Sequence, residues 1–262
     1  MFQPVLPSSG LTGWQFLQQT YDRQLETFNS SVVLKRDTDH FAEKIGSVTT
    51  AEELVSDRQL LTVALGAFGL QDDINNTFFI QKMLSEGTTA SDALANRFTD
   101  SRYTEFSKAF GLGPGETLGT IKAGFADEII AKYQANSFEV AAGDQDETMR
   151  IALYAQRTLE DVVGGDGSDA QKWFSIMGQP PLRSLFETAF GLPDAFGQVD
   201  IDQQLDVFQD RASRVLGVSD PAELAEPEKL DQLITTYLAR SQLDLGNAGT
   251  SGAAIALTLL SS

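Results

Sequence analysis

The tetrapeptide AFGL occurs at Ala67–Leu70, Ala109–Leu112 and Ala189–Leu192. A given run of four such common residues is expected only about 0.02 times in a chain of this composition, so three copies suggest an internal repeat. Each copy closes an apolar-patterned segment: DRQLLTVALGAF, SRYTEFSKAF and PPLRSLFETAF. A glycine placed there can take the left-handed conformation that ends a helix without the cost of a Cβ. The leucine after it can fold back on the last turn, toward Leu65 for Leu70, Phe106 for Leu112 and Phe186 for Leu192. The residues that follow, QDD, GPGE and PDA, restart a helix with acidic or Pro-containing caps. AFGL therefore reads as a helix–corner–helix joint. Three equivalent ligand loops are disfavoured because the loops carry few reactive groups. Positive φ is expected at Gly69, Gly111 and Gly191.

Outward from the joints the chain reads as helix after helix. Trp14, Leu17, Tyr21, Leu25 and Phe28 form one apolar stripe at helical spacing. Others are Leu118–Ile121–Phe125–Ile129–Tyr133, Met149–Leu153–Gln156–Leu159–Val163 with one polar member, and Leu230–Leu233–Tyr237. Ile201–Leu205–Phe208–Ala212–Val215 is the cleanest. Period-two runs of β-branched residues are missing, so no sheet is expected. Thr50 with Glu53, and Asp220 with Pro221 and Glu223, have the spacing of helix N-caps. Upstream of the first two joints, Phe-x-x-Lys, Thr-Thr-Ala and an Arg recur in order: Phe41, Lys44 and TTA at 49–51, then Phe79, Lys82 and TTA at 88–90. The third copy lacks them. The expected fold is all-α, with degenerate helix–turn–helix repeats packed into an irregular helical bundle. It is read as one domain over 1–262, with a sub-boundary near 141–147 and a flexible tail over 245–262. Hinges are expected near Gly143 and Gly164.

Charge excludes several functions. The chain has 262 residues, 19 Lys and Arg against 37 Asp and Glu, and a net charge of −18. Such a surface repels phosphate backbones and anionic membranes, so no nucleic-acid partner is expected, while basic partners suit it. Without cysteine there are no disulfides, thiolate nucleophiles or Cys-ligated zinc. No stretch approaches 18 consecutive apolar residues, so no membrane insertion is expected. No cleaved secretory signal is visible in MFQPVLPSSGLTGW, which leaves the cytoplasm or export with a larger assembly.

The residues offer little chemistry. His40 is the only histidine. An imidazole-rich metal site or a Ser–His–Asp triad would have to use it. In RDTDHFAEKI it sits beside a core face made by Phe41 and Ile45, which suits a surface or helix-cap role. GLGPGETLGT invites a phosphate-loop reading, but no strand precedes it, the Gly-Lys-Ser/Thr ending is missing and Lys122 comes too late. A turn with Pro114 and an acidic helix start at Glu116 is preferred. The carboxylate clusters Asp37/Asp39, Asp72/Asp73, Asp144/Asp146/Glu147, Asp166/Asp169 and Asp200/Asp202 read as solvated caps and turns. Weak cation binding at Asp166 is a minor alternative, because VGGDGSDAQKWF lacks the Gly and final Glu of a hand-type calcium loop. No catalytic, cofactor-binding or metal residues are assigned. The uncharged AAIALTLL near the C-terminus is expected either to dock on its own core or to serve a partner groove.

TVALGAFGLQDDINNTFFIQKMLSEG, followed by DSRYTEFSKAFGLG, resembles a bacterial family classified only as a domain of unknown function, number 1217. LPSSGLTGWQFLQQTYDRQ and RDTDHFAEKI fit the same family, and the resemblance covers roughly residues 1 to 192. It implies a mostly helical protein, often encoded among flagellar genes, with no assigned catalytic residues. The expected function is a non-catalytic, flagellum-associated structural, assembly or chaperone-like role through protein contacts. The alternative is an enzyme or small-ligand binder with a carboxylate-lined interhelical pocket.

Overall fold

The structure, a computed structural model, describes residues 3–249. Among these residues there are twelve α-helices and no strand, so the fold is all-α. The helices are α1 (Gly10–Asn29), α2 (Val32–Lys44), α3 (Ala51–Ser56), α4 (Arg58–Ala67), α5 (Thr77–Glu86) and α6 (Ser101–Phe110). They continue with α7 (Phe125–Gly143), α8 (Glu147–Val163), α9 (Asp169–Met177), α10 (Pro180–Phe190), α11 (Ile201–Leu216) and α12 (Pro227–Gly249). The described chain divides into two compact units, one built from Thr20–Ala142 with residues 3–5, the other from Leu6–Gln19 with residues 143–249. The division at Gly143 lies within AAGDQDE, and α1 contributes to both units.

In the first unit α2 and α3 pack on α4, and α5 packs on α3. Phe28, Phe41, Leu54, Leu65, Phe106 and Phe138 are buried there. In the second, α10 is central and touches α8, α9, α11 and α12. Its core holds Trp173, Phe186, Phe190 and Phe208 in edge-to-face and tilted contact, with centroids 5.5–6.2 Å apart. Those geometries suit the ring quadrupole and add to simple area burial.

All three AFGL glycines follow a helix and have positive φ: 70° at Gly69, 59° at Gly111 and 63° at Gly191. The first and third copies are full Schellman stops. Leu70 N donates to Leu65 O at 2.9 Å and Gly69 N to Gly66 O at 3.2 Å; Leu192 N donates to Glu187 O at 2.9 Å and Gly191 N to Thr188 O at 3.0 Å. The second copy departs from this. Gly111 N makes a single bond to Ser107 O, and Phe110 O is taken instead by Gly119 N at 2.9 Å. A Cβ on Gly111 would run into Thr117 O, because the following loop folds back over the helix end. The phenylalanine of each copy enters an aromatic cluster. Phe68 and Phe110 meet each other and Phe106, so the first two joints touch through their rings. Phe190 joins the second unit's cluster. A fourth left-handed stop, Gly217 after α11 with φ 65°, carries no AFGL and was not expected.

Three expectations need correction. The helix expected from Leu118 starts at Phe125, and Ile121 is exposed in a loop. Gly119 and Gly124 break the periodicity, the latter with φ 80°. The Asp220–Glu223 capping box exists, but it caps a 3₁₀ turn over Pro221–Ala225 rather than a long helix. On α11 the buried line is Gln204, Phe208, Ala212 and Leu216, while Ile201 is exposed. Gln204 tolerates burial because its amide donates to Val199 O and its carbonyl accepts from Arg183 Nη2 at 2.6 Å. The Thr-Thr-Ala copies also differ: the first caps α3 through Thr50, whereas the second lies in a turn where Thr88 bonds Glu116.

Replacing these glycines by alanine tests the joints. Gly69→Ala and Gly191→Ala should each cost about 1 kcal/mol from the left-handed backbone. Gly111→Ala should cost more, since its Cβ meets fixed backbone rather than a movable side chain. Urea denaturation of the three variants checks this order.

Candidate functional site

The corner between α3 and α4 brings together more polar chemistry than any single sequence motif. Asp57 ends α3 and begins α4. Its Oδ1 accepts from the amides of Gln59 at 2.9 Å and Leu60 at 3.1 Å. Its Oδ2 lies 2.7 Å from Nε2 of His40, on the facing side of α2. Partial burial acts to raise the Asp57 pKa. The bonds from His40 and Leu60, the charge of His40 and the Gln59 amide outweigh it and hold the carboxyl below its ordinary value. One turn earlier on α2, Asp37 is only 7% exposed and accepts from Gln59 Nε2 at 3.0 Å and from Arg36. Asp37 is thus not the solvated carboxylate expected.

Beside this corner lies a pocket of about 300 Å³ lined by Lys44, Ser47, Val48, Glu53, Ser56, Asp57 and Leu60. Both signs of charge reach it, over an apolar floor. Its polar groups already have partners. Glu53 Oε2 accepts from Thr49 N at 2.7 Å, Thr49 Oγ1 at 3.1 Å and Thr50 N at 3.0 Å, completing the α3 capping box. The Thr49 amide, then the Thr49 hydroxyl and the Thr50 amide, lower the Glu53 pKa against a smaller desolvation effect. Ser47 and Ser56 donate to the carbonyls of Lys44 and Glu53. His40 and Asp57 have the relation of the orienting pair in a hydrolytic triad. Among the described residues, however, His40 bonds no hydroxyl that it could activate.

The glycine-rich loop binds an anion, but the anion is its own. Glu116 Oε1 accepts from Thr88 N and Thr88 Oγ1, both at 2.6 Å, and Oε2 accepts from Gly113 N at 3.1 Å. Gly87 and Gly113 meet so closely that a Cβ on either would collide with the other's backbone. Glu116 is therefore a bridge between the α5 end and the loop, not the first turn of a helix.

The remaining carboxylate clusters stay apart. Asp146 and Asp200 are the N-caps of α8 and α11. Asp73 accepts from Tyr103 and Asn76, and Asp166 is exposed. Ser168, two residues after Asp166, accepts from Gln171 N and caps α9. Among the described residues no group of three or more His, Cys, Asp or Glu is placed to hold a metal ion. Sequence reasoning passed over Asp57, whose partner His40 is 17 residues away, and the N-cap Asp100. It also passed over Glu139, a carboxylate buried in α7. Only a Ser/Asp-before-helix signal could have marked the caps.

The family model for proteins of unknown function designated DUF1217 matches residues 67–230. The chain belongs to this family. The matched span starts later and reaches further than the stretch that carried the resemblance in sequence. The chain is also similar to a crystal structure of a protein from Agrobacterium tumefaciens, solved as a structural-genomics target. The TM-score is 0.74 at 25% identity, covering 92% of this chain and 99% of that one. No curated protein matches the sequence.

Two substitutions test the corner. Asp57→Ala should destabilise by about 1–2 kcal/mol by removing a cap, while Asp57→Asn keeps a capping oxygen and removes the charge. A carboxyl depressed in the folded state stabilises above its unfolded pKa and loses that contribution as pH falls through the folded value. The gap between wild type and Asp57→Asn should therefore be present above the ordinary carboxylate range and close as pH falls below that range, as read by denaturation at each pH. Glu116→Ala should cost about 1–3 kcal/mol, because two half-buried amide donors lose their acceptor. Thermal melts of this variant against Glu116→Gln, which keeps one acceptor, separate charge from bonding.

Proposed function

We propose that the chain is a non-catalytic protein acting through protein–protein contacts, with a structural, assembly or chaperone-like role associated with the flagellum. The observation that carries the first part is the direction of its polar side chains. His40, Glu53, Asp57 and Glu116, the groups best suited to chemistry, are bonded to helix ends and loops of their own chain. Large apolar side chains meanwhile stand in solvent, among them Val32, Phe78, Ile121 and Leu243. Exposed apolar surface is the usual medium of protein association. No helix among the described residues is long and apolar enough to cross a membrane. The flagellar part is supported by the family resemblance alone. A second reading, small-ligand binding or catalysis, is favoured only by the pocket at the α3–α4 corner.

A pull-down of the full chain from motile cells, read by mass spectrometry, tests the proposal. Enrichment of flagellar components, with motility lost on deletion, is the expected result. Unchanged motility and no reproducible partner would remove it. The apolar tail, Ala253 to Leu260, lies outside the described residues. Truncation after Gly249 assigns it. A lowered melting temperature places it on its own core, where burying about three Leu or Ile side chains is worth several kcal/mol as an upper bound. Unchanged melting with loss of the partner places it in the interaction. No change in either removes the tail from the argument.

A further inference from the structure

The first unit has a corner where acidic charge and exposed rings meet without an internal counterpart. It follows the first joint, in the segment QDDINNTFF. Phe78, at the start of α5, is 79% exposed, and Phe98 is 39% exposed. Phe79 packs edge-on against Phe98 at 5.3 Å and Tyr103 at 5.7 Å, and Phe98 lies 5.1 Å from Tyr103. Rings this close leave no gap for a cation between them. They form a shelf whose outer faces are available, not a cage.

The acid lies on one side of the shelf. Tyr103 donates its hydroxyl to Asp73 Oδ2 at 2.6 Å, and Asn76 donates to Asp73 Oδ1 at 2.7 Å; both donors are neutral. Burial, then the bond to Asp73, pushes the Tyr103 hydroxyl far above its ordinary range. Asp72 is exposed and, among the described residues, has no hydrogen-bond or ion-pair partner. Of the nearby cations, Arg58 and Arg102 are engaged elsewhere. Arg58 donates to Asn75, and Arg102 pairs with Asp100 and the carbonyl of Gly69. Arg97 precedes Phe98 and is exposed; the acid side is that of Tyr103, where Asp73 is bonded and Asp72 is next to it in the chain. Asp37, Asp57 and Asp100 of this unit each have a basic neighbour, Arg36, His40 and Arg102. Among the described residues Asp73, like Glu116, is bonded to neutral donors.

We propose that this shelf docks a segment of another protein that presents Arg or Lys between apolar residues. The cation would lie against Asp72 and Asp73, and the apolar residues on Phe78, Phe79 and Phe98. A second copy of this chain fits poorly, since each copy carries a net charge of −18 and the two repel. The inference rests on the protein-contact reading above and supplies the chemistry of that partner.

The test uses the full chain and two synthetic probes, a 12-residue peptide alternating Arg and Leu and its Glu/Leu counterpart, in calorimetric titration. The Arg/Leu peptide should bind and the Glu/Leu peptide should not. Phe78→Ser, which touches the most exposed ring and should leave the melting curve unchanged, should weaken binding at least tenfold, and Phe78→Ser/Phe98→Ser further. Asp72→Asn/Asp73→Asn should weaken it severalfold and flatten its salt dependence. Undiminished binding to Phe78→Ser would mean that the peptide merely coats an acidic surface, and would overturn the proposal. So would equal binding of the Glu/Leu peptide, or a wild-type dimer in sedimentation that Phe78→Ser dissolves. A flagellar partner still captured by the Phe78→Ser/Phe98→Ser protein would sink this inference while leaving the protein-contact reading standing. An absent partner with shelf-specific peptide binding would do the reverse.

Discussion

Helix termination at left-handed glycines is the constraint on which the rest depends. A helix leaves its last four carbonyls without intrahelical partners, and they must be satisfied before the chain can turn. At Gly69 and Gly191 the 6→1 and 5→2 bonds do this within three residues. At Gly111 a distant amide, Gly119 N, takes part of the work. The same few residues that stop the helix also place a phenylalanine, so ending α4 and α6 brings Phe68 and Phe110 into one cluster with Phe106. A stop at the wrong residue would rotate that ring about 100° around the helix axis and take it out of the core.

Basic side chains complete these stops. Arg102 donates to Gly69 O at 2.7 Å, Lys229 donates to Leu216 O at 2.7 Å beside Gly217, and the Arg240 guanidinium lies over Gly191. Each puts positive charge at the negative end of a helix dipole. The carboxylates do the complementary work at helix starts, where Asp57, Asp100, Asp146 and Asp200 cap α4, α6, α8 and α11. Much of the acid that looks like ligand chemistry in sequence is helix-end chemistry in space. The exception on α11 is instructive. Asp202, Asp206 and Asp210 recur at four-residue spacing, and the last is paired with Arg214. Like charges so placed cost a few tenths of a kcal/mol per pair.

What was legible in sequence was what the chain decides locally. The stops at Gly69 and Gly191 and the Thr50–Glu53 box involve residues within six positions of one another, so the pattern contains the backbone interaction. What was illegible depends on partners far along the chain. His40 and Asp57 are 17 residues apart, and Thr120 Oγ1 reaches Val48 O across 72. The stripe from Leu118 looked helical because Ile121 has the right phase. Tertiary pairing of Gly119 with Phe110 O wins over that phase and holds the segment as a loop. The burial of Gln204 was illegible for the same reason: the carbonyl of Val199 and the Arg183 side chain make it tolerable. Of the candidate corner, Asp37, His40 and the Thr50–Glu53 box were named from sequence, but not Asp57. The role of His40 beside a helix cap followed from phase, but its partner did not.

The likeness to the Agrobacterium tumefaciens structure, at 25% identity over 92% of this chain, is understandable on this basis. Cores accept wide apolar substitution if volume and pattern are kept. A helical fold whose corners are set by glycine stops and short-range caps needs few fixed residues besides that pattern. Function then cannot be inferred from the fold's persistence. It has to lie in features the fold does not require. Folding explains the inward-bonded carboxylates, the glycines and the buried rings. It does not explain Phe78 in solvent. An exposed phenylalanine gains nothing from the hydrophobic effect where it stands. A partner contact of the kind proposed above would account for it.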